Sequence, residues 1–198
     1  MQDSLRGSQE PSLNDWLHGG QTSAVRISVG KFREDYAPMI EALPIADKAR
    51  LAAFIDGEGT IYINVSSRLR GRAKSPQYNL SVTITGTNPI FMNWLKQTFD
   101  GSLYFVKYEK SKHLGKRQII RWQVNGRMAN TVLSNVVQYM IIKRPQAEVG
   151  LAFLNLMKPK MGGYKRQPAL TEADIALRHG MKLEIERLNK SDGITMVQ

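Results

Sequence analysis

Two carboxylates stand two residues apart in the segment LAAFIDGEGTIYI, residues 51–63. Asp56 and Glu58 alternate with Gly57 and Gly59 where a run of small and apolar residues ends. The run favours a helix, and the glycines suit the end of that helix. Because the carboxyl end of a helix carries partial negative charge, acids there cost about 0.3–1 kcal/mol unless a cation lies nearby.

Two kinds of cation could offset these acids. Arg50 is one, although it lies about two turns back along the helix. A divalent metal is the other, since Mg²⁺ prefers carboxylates, a carbonyl, waters and the phosphates of a substrate. Such a metal could lower the pKa of a water and stabilise charge on a scissile phosphate. The pattern therefore indicates either an ion pair or a metal site for phosphate chemistry.

The surrounding sequence predicts the elements that position these acids. Ala49, Ala53 and Gly57 form a stripe at i, i+4 and i+8 of the helix over 46–57, and small residues at this spacing let a second helix approach closely. Apolar and polar residues alternate in four later segments, which predict strands. The strands are expected at 60–70, 77–85, 102–110 and 117–125, and further helices at 89–99, 127–140, 146–157 and 171–189. The order αββαββα predicts an α+β domain with an antiparallel sheet.

The charge of +11 is unevenly distributed. Residues 46–166 carry a net charge of +14, whereas 1–45 carry −2 and 167–198 carry −1. Basicity confined to one segment is typical of a protein that binds a polyanion. The outward positions of the predicted sheet hold amides, hydroxyls and arginines but no carboxylate, and such side chains suit base reading in DNA.

We expect the residues that contact DNA to be these outward side chains and the basic residues of the strands and connecting loops. They are Asn64, Ser66, Arg68, Arg70, Arg72, Lys74, Gln77, Asn79, Ser81, Thr83, Lys107, Arg117, Arg121 and Gln123. A generic RNA-binding sheet is the weaker interpretation, because this face lacks clustered aromatics that stack on unpaired bases.

Several classes of protein are excluded by composition. The chain has no cysteine, so it has no disulfide or thiolate metal site, and its three histidines are far apart. No stretch approaches the roughly 18 apolar residues of a membrane span, and the N-terminus lacks the features of a secretory signal. We therefore expect an intracellular protein, in the cytoplasm, nucleoid or an organelle matrix, with no membrane partner.

The segment Leu51-Ala52-Ala53-Phe54-Ile55-Asp56-Gly57-Glu58-Gly59 resembles the signature nonapeptide of the LAGLIDADG homing endonucleases. The order of elements over about 46–158 also resembles that family. So does Ile142-Lys143-Arg144-Pro145-Gln146-Ala147, which looks like the family's late lysine segment. The resemblance implies a saddle-shaped sheet on double-stranded DNA, with two signature helices side by side at its centre.

The resemblance also implies roles for individual residues. Glu58 matches the catalytic acid that binds the metal, Mg²⁺ or another divalent cation, and Gly57 matches the backbone-carbonyl ligand. Asp56 matches an acid that is more often structural near the interface. Lys143 matches the basic residue near the scissile phosphate. Asn88 stands where the family often places a glutamine in the active-site water network, although a helix cap before Pro89 explains it equally well.

One copy of the motif supplies half of such a site, because the similar segment Gly150-Leu151-Ala152-Phe153 has no Asp-x-Glu-Gly after it. We therefore expect a homodimer on a near-palindromic site, joined through Ala49, Ala53, Asp56 and Gly57. The predicted organisation is an extension over 1–45, the endonuclease domain over 46–158, and a basic linker with a C-terminal helix over 159–198. The alternative is a non-cleaving protein of the same fold, either an RNA maturase or a DNA-binding regulator.

Overall fold

The computed structural model describes residues 36–66, 75–106, 118–156 and 170–191. Six helices, one 3₁₀ turn and four strands lie in these ranges. The helices are α1 (Tyr36–Glu41), α2 (Ile45–Glu58), α3 (Pro89–Phe99), α4 (Arg127–Val136), α5 (Arg144–Asn155) and α6 (Glu172–Ser191). The strands are β1 (Gly59–Ser66), β2 (Gln77–Gly86), β3 (Ser102–Phe105) and β4 (Ile120–Asn125), and the 3₁₀ turn spans Val137–Tyr139.

The strands form one antiparallel sheet in the order β1-β2-β4-β3. Alternate residues of each strand are apolar and buried, and they meet the helices on one face of the sheet. Ile61, Leu80, Val82 and Trp122 belong to this core. The opposite face is polar. The predicted α+β class, element order and antiparallel sheet are therefore confirmed.

Helix α2 leads directly into β1, so the two carboxylates lie at the junction of helix and sheet. Leu51, Ala52 and Ile55 are buried against the core, as the helical spacing of the apolar residues requires. Gly59 is the first residue of β1. A Cβ atom there would lie 2.6 Å from the Ile55 Cα atom, so only glycine permits this turn.

Helix α1 belongs to the same core, although the sequence places it in the extension over 1–45. Tyr36 and Ile40 are fully buried, and the Tyr36 hydroxyl donates a hydrogen bond of 2.9 Å to the Phe99 carbonyl. The tyrosine therefore ties the start of the described chain to the end of α3. Its burial, together with the charge of Asp100, raises the pKa of Tyr36 far above its usual range.

Helix α6 covers β1 and α5. Ile185 is fully buried, and Asn189 Nδ2 donates a hydrogen bond of 2.9 Å to the Ile61 carbonyl of the edge strand β1. The C-terminal helix thus completes the core that the sequence assigns to residues 46–158. None of the helices in the described ranges is long and apolar enough to cross a membrane.

Candidate active site and nucleic-acid interface

The two carboxylates at the end of α2 have different surroundings. Asp56 is only 9% exposed, and both of its oxygens accept backbone hydrogen bonds. Oδ2 accepts from the Ile141 N–H at 2.7 Å, and Oδ1 accepts from the Lys143 N–H at 2.8 Å. Because its oxygens already serve these amides, Asp56 fixes the loop over 141–143 and is poorly placed to bind a metal.

Lys143 offsets the negative end of the helix. Its ammonium donates to the Ile55 carbonyl at 3.1 Å and to the Asp56 carbonyl at 2.8 Å, and these are among the last carbonyls of α2. The cation that the helix end requires thus comes from a loop some 87 residues away in sequence.

The Arg50 alternative is wrong. Arg50 Nη1 pairs with Asp47 at 2.9 Å, and its guanidinium lies 5.4 Å from the centre of the Trp94 ring. Arg50 therefore stays near the start and middle of α2, because Asp47 lies one turn before it and Trp94 packs beside it from α3.

Glu58 is exposed and forms no hydrogen bond or ion pair with the described part of the chain. Gly57 and Ala53 are exposed as well, and Ala49 is partly exposed. A Cβ atom added at Gly57 would meet nothing within 4 Å. The stripe of small residues is therefore an exposed surface of the single chain, and it ends at a carboxylate that has no partner in the described ranges.

Ile141 and Ile142 add apolar surface beside this stripe. They are 86% and 56% exposed, and the two backbone hydrogen bonds to Asp56 hold the loop that carries them. Asp56 therefore joins the exposed isoleucines to the exposed side of α2 as one rigid surface.

Asn88 is the N-cap of α3. Its Oδ1 accepts from the Ile90 N–H at 3.0 Å and from the Phe91 N–H at 3.2 Å, and Pro89 follows as the first helical residue. The helix-cap alternative thus describes its geometry. Its place in a water network stays a prediction.

The polar face of the sheet carries no carboxylate within the described strands. The strand register aligns polar residues of neighbouring strands in rows across this face. One row crosses all four strands and consists of Thr60, Thr83, Gln123 and Ser102. The next row crosses three strands and consists of Tyr62, Ser81 and Asn125. Further rows pair Asn64 with Asn79, Ser66 with Gln77, and Thr85 with Arg121 and Tyr104. One continuous polar surface results.

The predicted DNA-contacting residues divide into three groups. Asn64, Ser66, Gln77, Asn79 and Arg121 are exposed on this face, and Gln123 is partly exposed. Ser81 and Thr83 are on the same face but buried, because they lie on the central strand beneath their neighbours. Their burial favours support of the neighbouring side chains, and their contact with DNA stays a prediction. The remaining basic residues lie outside the described ranges: Arg68, Arg70, Arg72, Lys74, Lys107 and Arg117.

The sequence-based list of DNA-contacting residues does not include Asn125, Thr60 or Thr85, although the alternation places Thr85 on this face. The signal was present, because Asn125 continues the alternation of Arg121 and Gln123, and Thr60 precedes Tyr62 and Asn64 by the same spacing. Asn125 is the last residue of β4, and Gly126 separates it from α4. In the structure it is still paired with Ser81 of β2.

The order of the helices and strands and the antiparallel sheet are those of a known class of proteins. The solved structures similar to this chain include LAGLIDADG homing endonucleases, and the predicted resemblance is confirmed at the level of the fold. No family model matches the sequence, and no curated protein matches it either.

One similar structure is I-SmaMI bound to an uncleaved DNA target in the presence of calcium ions. It has 17% identity and a TM-score of 0.52, and the match covers 73% of this chain and 48% of that one. I-CvuI in complex with the I-CreI target and 2 mM Mg has 18% identity and a TM-score of 0.48, over 76% of this chain and 97% of that one. The LAGLIDADG homing endonuclease I-GzeII in complex with its DNA target has 14% identity and a TM-score of 0.47, over 70% and 43%.

Proposed function

We propose that this chain is a site-specific, metal-dependent DNA endonuclease that cuts both strands as a homodimer. The observation that carries the proposal is the contrast between the two acids at the end of α2. Asp56 accepts two backbone hydrogen bonds, whereas Glu58 has no partner among the described residues. The carboxylate-free sheet face next to this junction supports DNA as the substrate. The fold it shares with I-SmaMI, a protein solved on a DNA target, supports the same substrate class.

The donor set at the junction fits a divalent cation of the hard type. Glu58 offers an exposed carboxylate, and the backbone carbonyl of Gly57 lies next to it in an exposed turn of the helix. One carboxylate, one carbonyl, waters and a phosphate oxygen match what Mg²⁺ takes in phosphate-transfer sites. When bound, the metal supplies a more acidic water and charge stabilisation at the scissile phosphate.

Lys143 keeps one donor for the substrate. An ammonium group has three N–H donors, and two of them serve the Ile55 and Asp56 carbonyls. The third can meet a phosphate oxygen next to the end of α2. The same side chain thus stabilises the helix end and presents positive charge to the backbone of the DNA.

The single chain holds half of the proposed site. It supplies one Glu58 carboxylate, and one such carboxylate serves one strand of the DNA. Two copies joined through Ala49, Ala53 and Gly57 would place two Glu58 carboxylates about a two-fold axis. The match to only 48% of the I-SmaMI chain is consistent with a unit that works in pairs.

The test is cleavage of DNA. The substrate is the locus without the gene's insertion or, where that locus is unknown, a randomised near-palindromic library. We expect specific double-strand cuts with Mg²⁺, none with EDTA, and none with Glu58→Gln. Glu148→Gln is the matched control, because Glu148 is also an exposed helical carboxylate but pairs with Arg144.

Absence of cuts by the native dimer on a site that it binds tightly would contradict the nuclease proposal. It would favour the second candidate, a non-cleaving DNA-binding regulator or RNA maturase on this fold. The observation that favours this candidate is the capping geometry of Asn88, whose carbonyl oxygen is already used by two backbone amides. Binding to intron RNA would then be measured with the same preparation.

A further inference from the structure

A partly buried hydrogen-bond network lies in the middle of the polar sheet face. Ser81 Oγ donates to Asn125 Oδ1 at 2.6 Å, and Gln123 Nε2 donates to the same oxygen at 2.7 Å. Gln123 Nε2 also lies 3.5 Å from the Tyr62 hydroxyl oxygen. Ser81 is completely buried, so the network has a fixed base within the sheet.

In Asn125 and in Gln123, one polar atom of the amide takes part in the network and the other does not. The two lone pairs of Asn125 Oδ1 receive two donors, whereas Asn125 Nδ2 makes no hydrogen bond within the described residues. Gln123 is the reverse, because its Nε2 is engaged and its Oε1 accepts no hydrogen bond from them. The surface therefore presents a donor at Asn125 and an acceptor at Gln123.

We infer that Asn125 and Gln123 are specificity-determining residues. The network fixes Asn125 with its amide nitrogen toward the DNA and Gln123 with its amide oxygen toward the DNA, and Ser81 is the positioning residue. The inference rests on the proposed function, since it assumes that this face meets DNA. A free asparagine or glutamine pairs with adenine through donor and acceptor together. Here neither amide can do so, because one half of each is occupied.

The bases that such a surface selects follow from their edges. The Asn125 donor suits the acceptors of guanine or the O4 atom of thymine and opposes the amino group of cytosine. The Gln123 acceptor suits the amino group of adenine or cytosine. The two amides are joined by a hydrogen bond of 2.7 Å, so the two side chains meet the same base pair or adjacent base pairs.

The test is selection from a randomised DNA library with the full chain, native and variant. Asn125→Asp replaces the donor by an acceptor, so we expect one position of each half-site to change from guanine or thymine to cytosine or adenine, by about tenfold. Ser81→Ala frees the Asn125 oxygen, so adenine should become acceptable there. Asn155→Asp is the control, because it makes the same charge change at an exposed residue of α5, outside the polar sheet face.

A second measurement needs no DNA. The NMR shift of the Asn125 side-chain carbonyl carbon should move in Ser81→Ala, because that carbonyl loses a donor. An unmoved shift would overturn the inference, and so would an enriched site whose base preference is unchanged in Asn125→Asp. A native chain that enriches no sequence at all would instead overturn the proposed function.

Discussion

The side chains of Asp56 and Lys143 each form a hydrogen bond with the backbone of the other residue. The Asp56 carboxylate accepts the backbone N–H of Lys143 at 2.8 Å, and the Lys143 ammonium donates to the backbone carbonyl of Asp56 at the same distance. The side chain of each residue thus satisfies the main chain of the other. The loop over 141–143 and the end of α2 are locked together as one unit, and the proposed catalytic carboxylate is two residues away.

Removal of the Asp56 carboxylate should destabilise the fold. Asp56→Ala leaves the Ile141 and Lys143 amides without their acceptor, so we expect a loss of about 3 kcal/mol in the free energy of unfolding. Urea titration measures it. Asp47→Ala is the control: its pair with Arg50 is exposed, and such pairs contribute about 1 kcal/mol or less. Equal effects of the two variants would contradict the anchoring role.

Lys143→Met should separate cleavage from binding. We expect single-turnover cleavage to fall by about 100-fold, because one donor to the transition-state charge is lost, while affinity for the site in calcium changes little. Lys48→Met is the matched control, since the Lys48 ammonium likewise caps a helix, with a bond of 2.7 Å to the Glu41 carbonyl. Parallel losses of cleavage in both variants would assign Lys143 a purely structural role.

Gly57→Leu should dissociate the dimer without unfolding the chain. A side chain at Gly57 meets only open space in the single chain, but it would lie between two copies packed through the small-residue stripe. Sedimentation should show a monomer at micromolar concentration, and its circular dichroism spectrum should be that of the native fold. Its thermal transition should no longer depend on protein concentration. Gly180→Leu, at another exposed helical glycine with open space around it, should leave the dimer intact. A native monomer with and without DNA would refute the dimer itself.

Tyr36→Phe should change how stability depends on alkaline pH. The raised pKa of Tyr36 keeps its phenol neutral in the folded chain after the unfolded chain has begun to ionise. The stabilisation is therefore complete below pH 10 and is lost as pH rises above it. At pH 7 the variant should lose about 1 kcal/mol with the bond to Phe99, and above pH 10 this difference should shrink. If the difference in unfolding free energy between the native chain and Tyr36→Phe stayed constant with pH, it would contradict the role of the raised Tyr36 pKa.

The local periodicity of the sequence was sufficient to predict most elements. The helix predicted over 46–57 spans Ile45–Glu58, and the second strand, predicted over 77–85, spans Gln77–Gly86. These predictions succeed because each element buries one side, which gives its apolar residues a regular spacing. Helix α5 begins two residues earlier than expected, at Arg144, since Pro145 is tolerated in a first turn.

Long-range partners could not be predicted in the same way. Local spacing suggested Arg50 as the cation for the helix end, whereas Lys143 takes that place because the chain folds back from the 3₁₀ turn. Tyr36 was assigned to a weakly organised extension, since Pro38 breaks the helical pattern there. Pro38 instead lies in the first turn of a short helix that the core buries.

The hydrogen bond from Asn189 to Ile61 has a consequence for how the chain folds during synthesis. The two residues are separated by 128 positions, so β1 leaves the ribosome long before the helix that covers it. At about 5–20 residues per second, this edge strand waits for roughly 6–26 seconds without its cover. Uncovered edge strands pair readily with other chains. The nascent chain is therefore most vulnerable to aggregation in that interval, and a chaperone that shields strand edges would raise the yield of native protein.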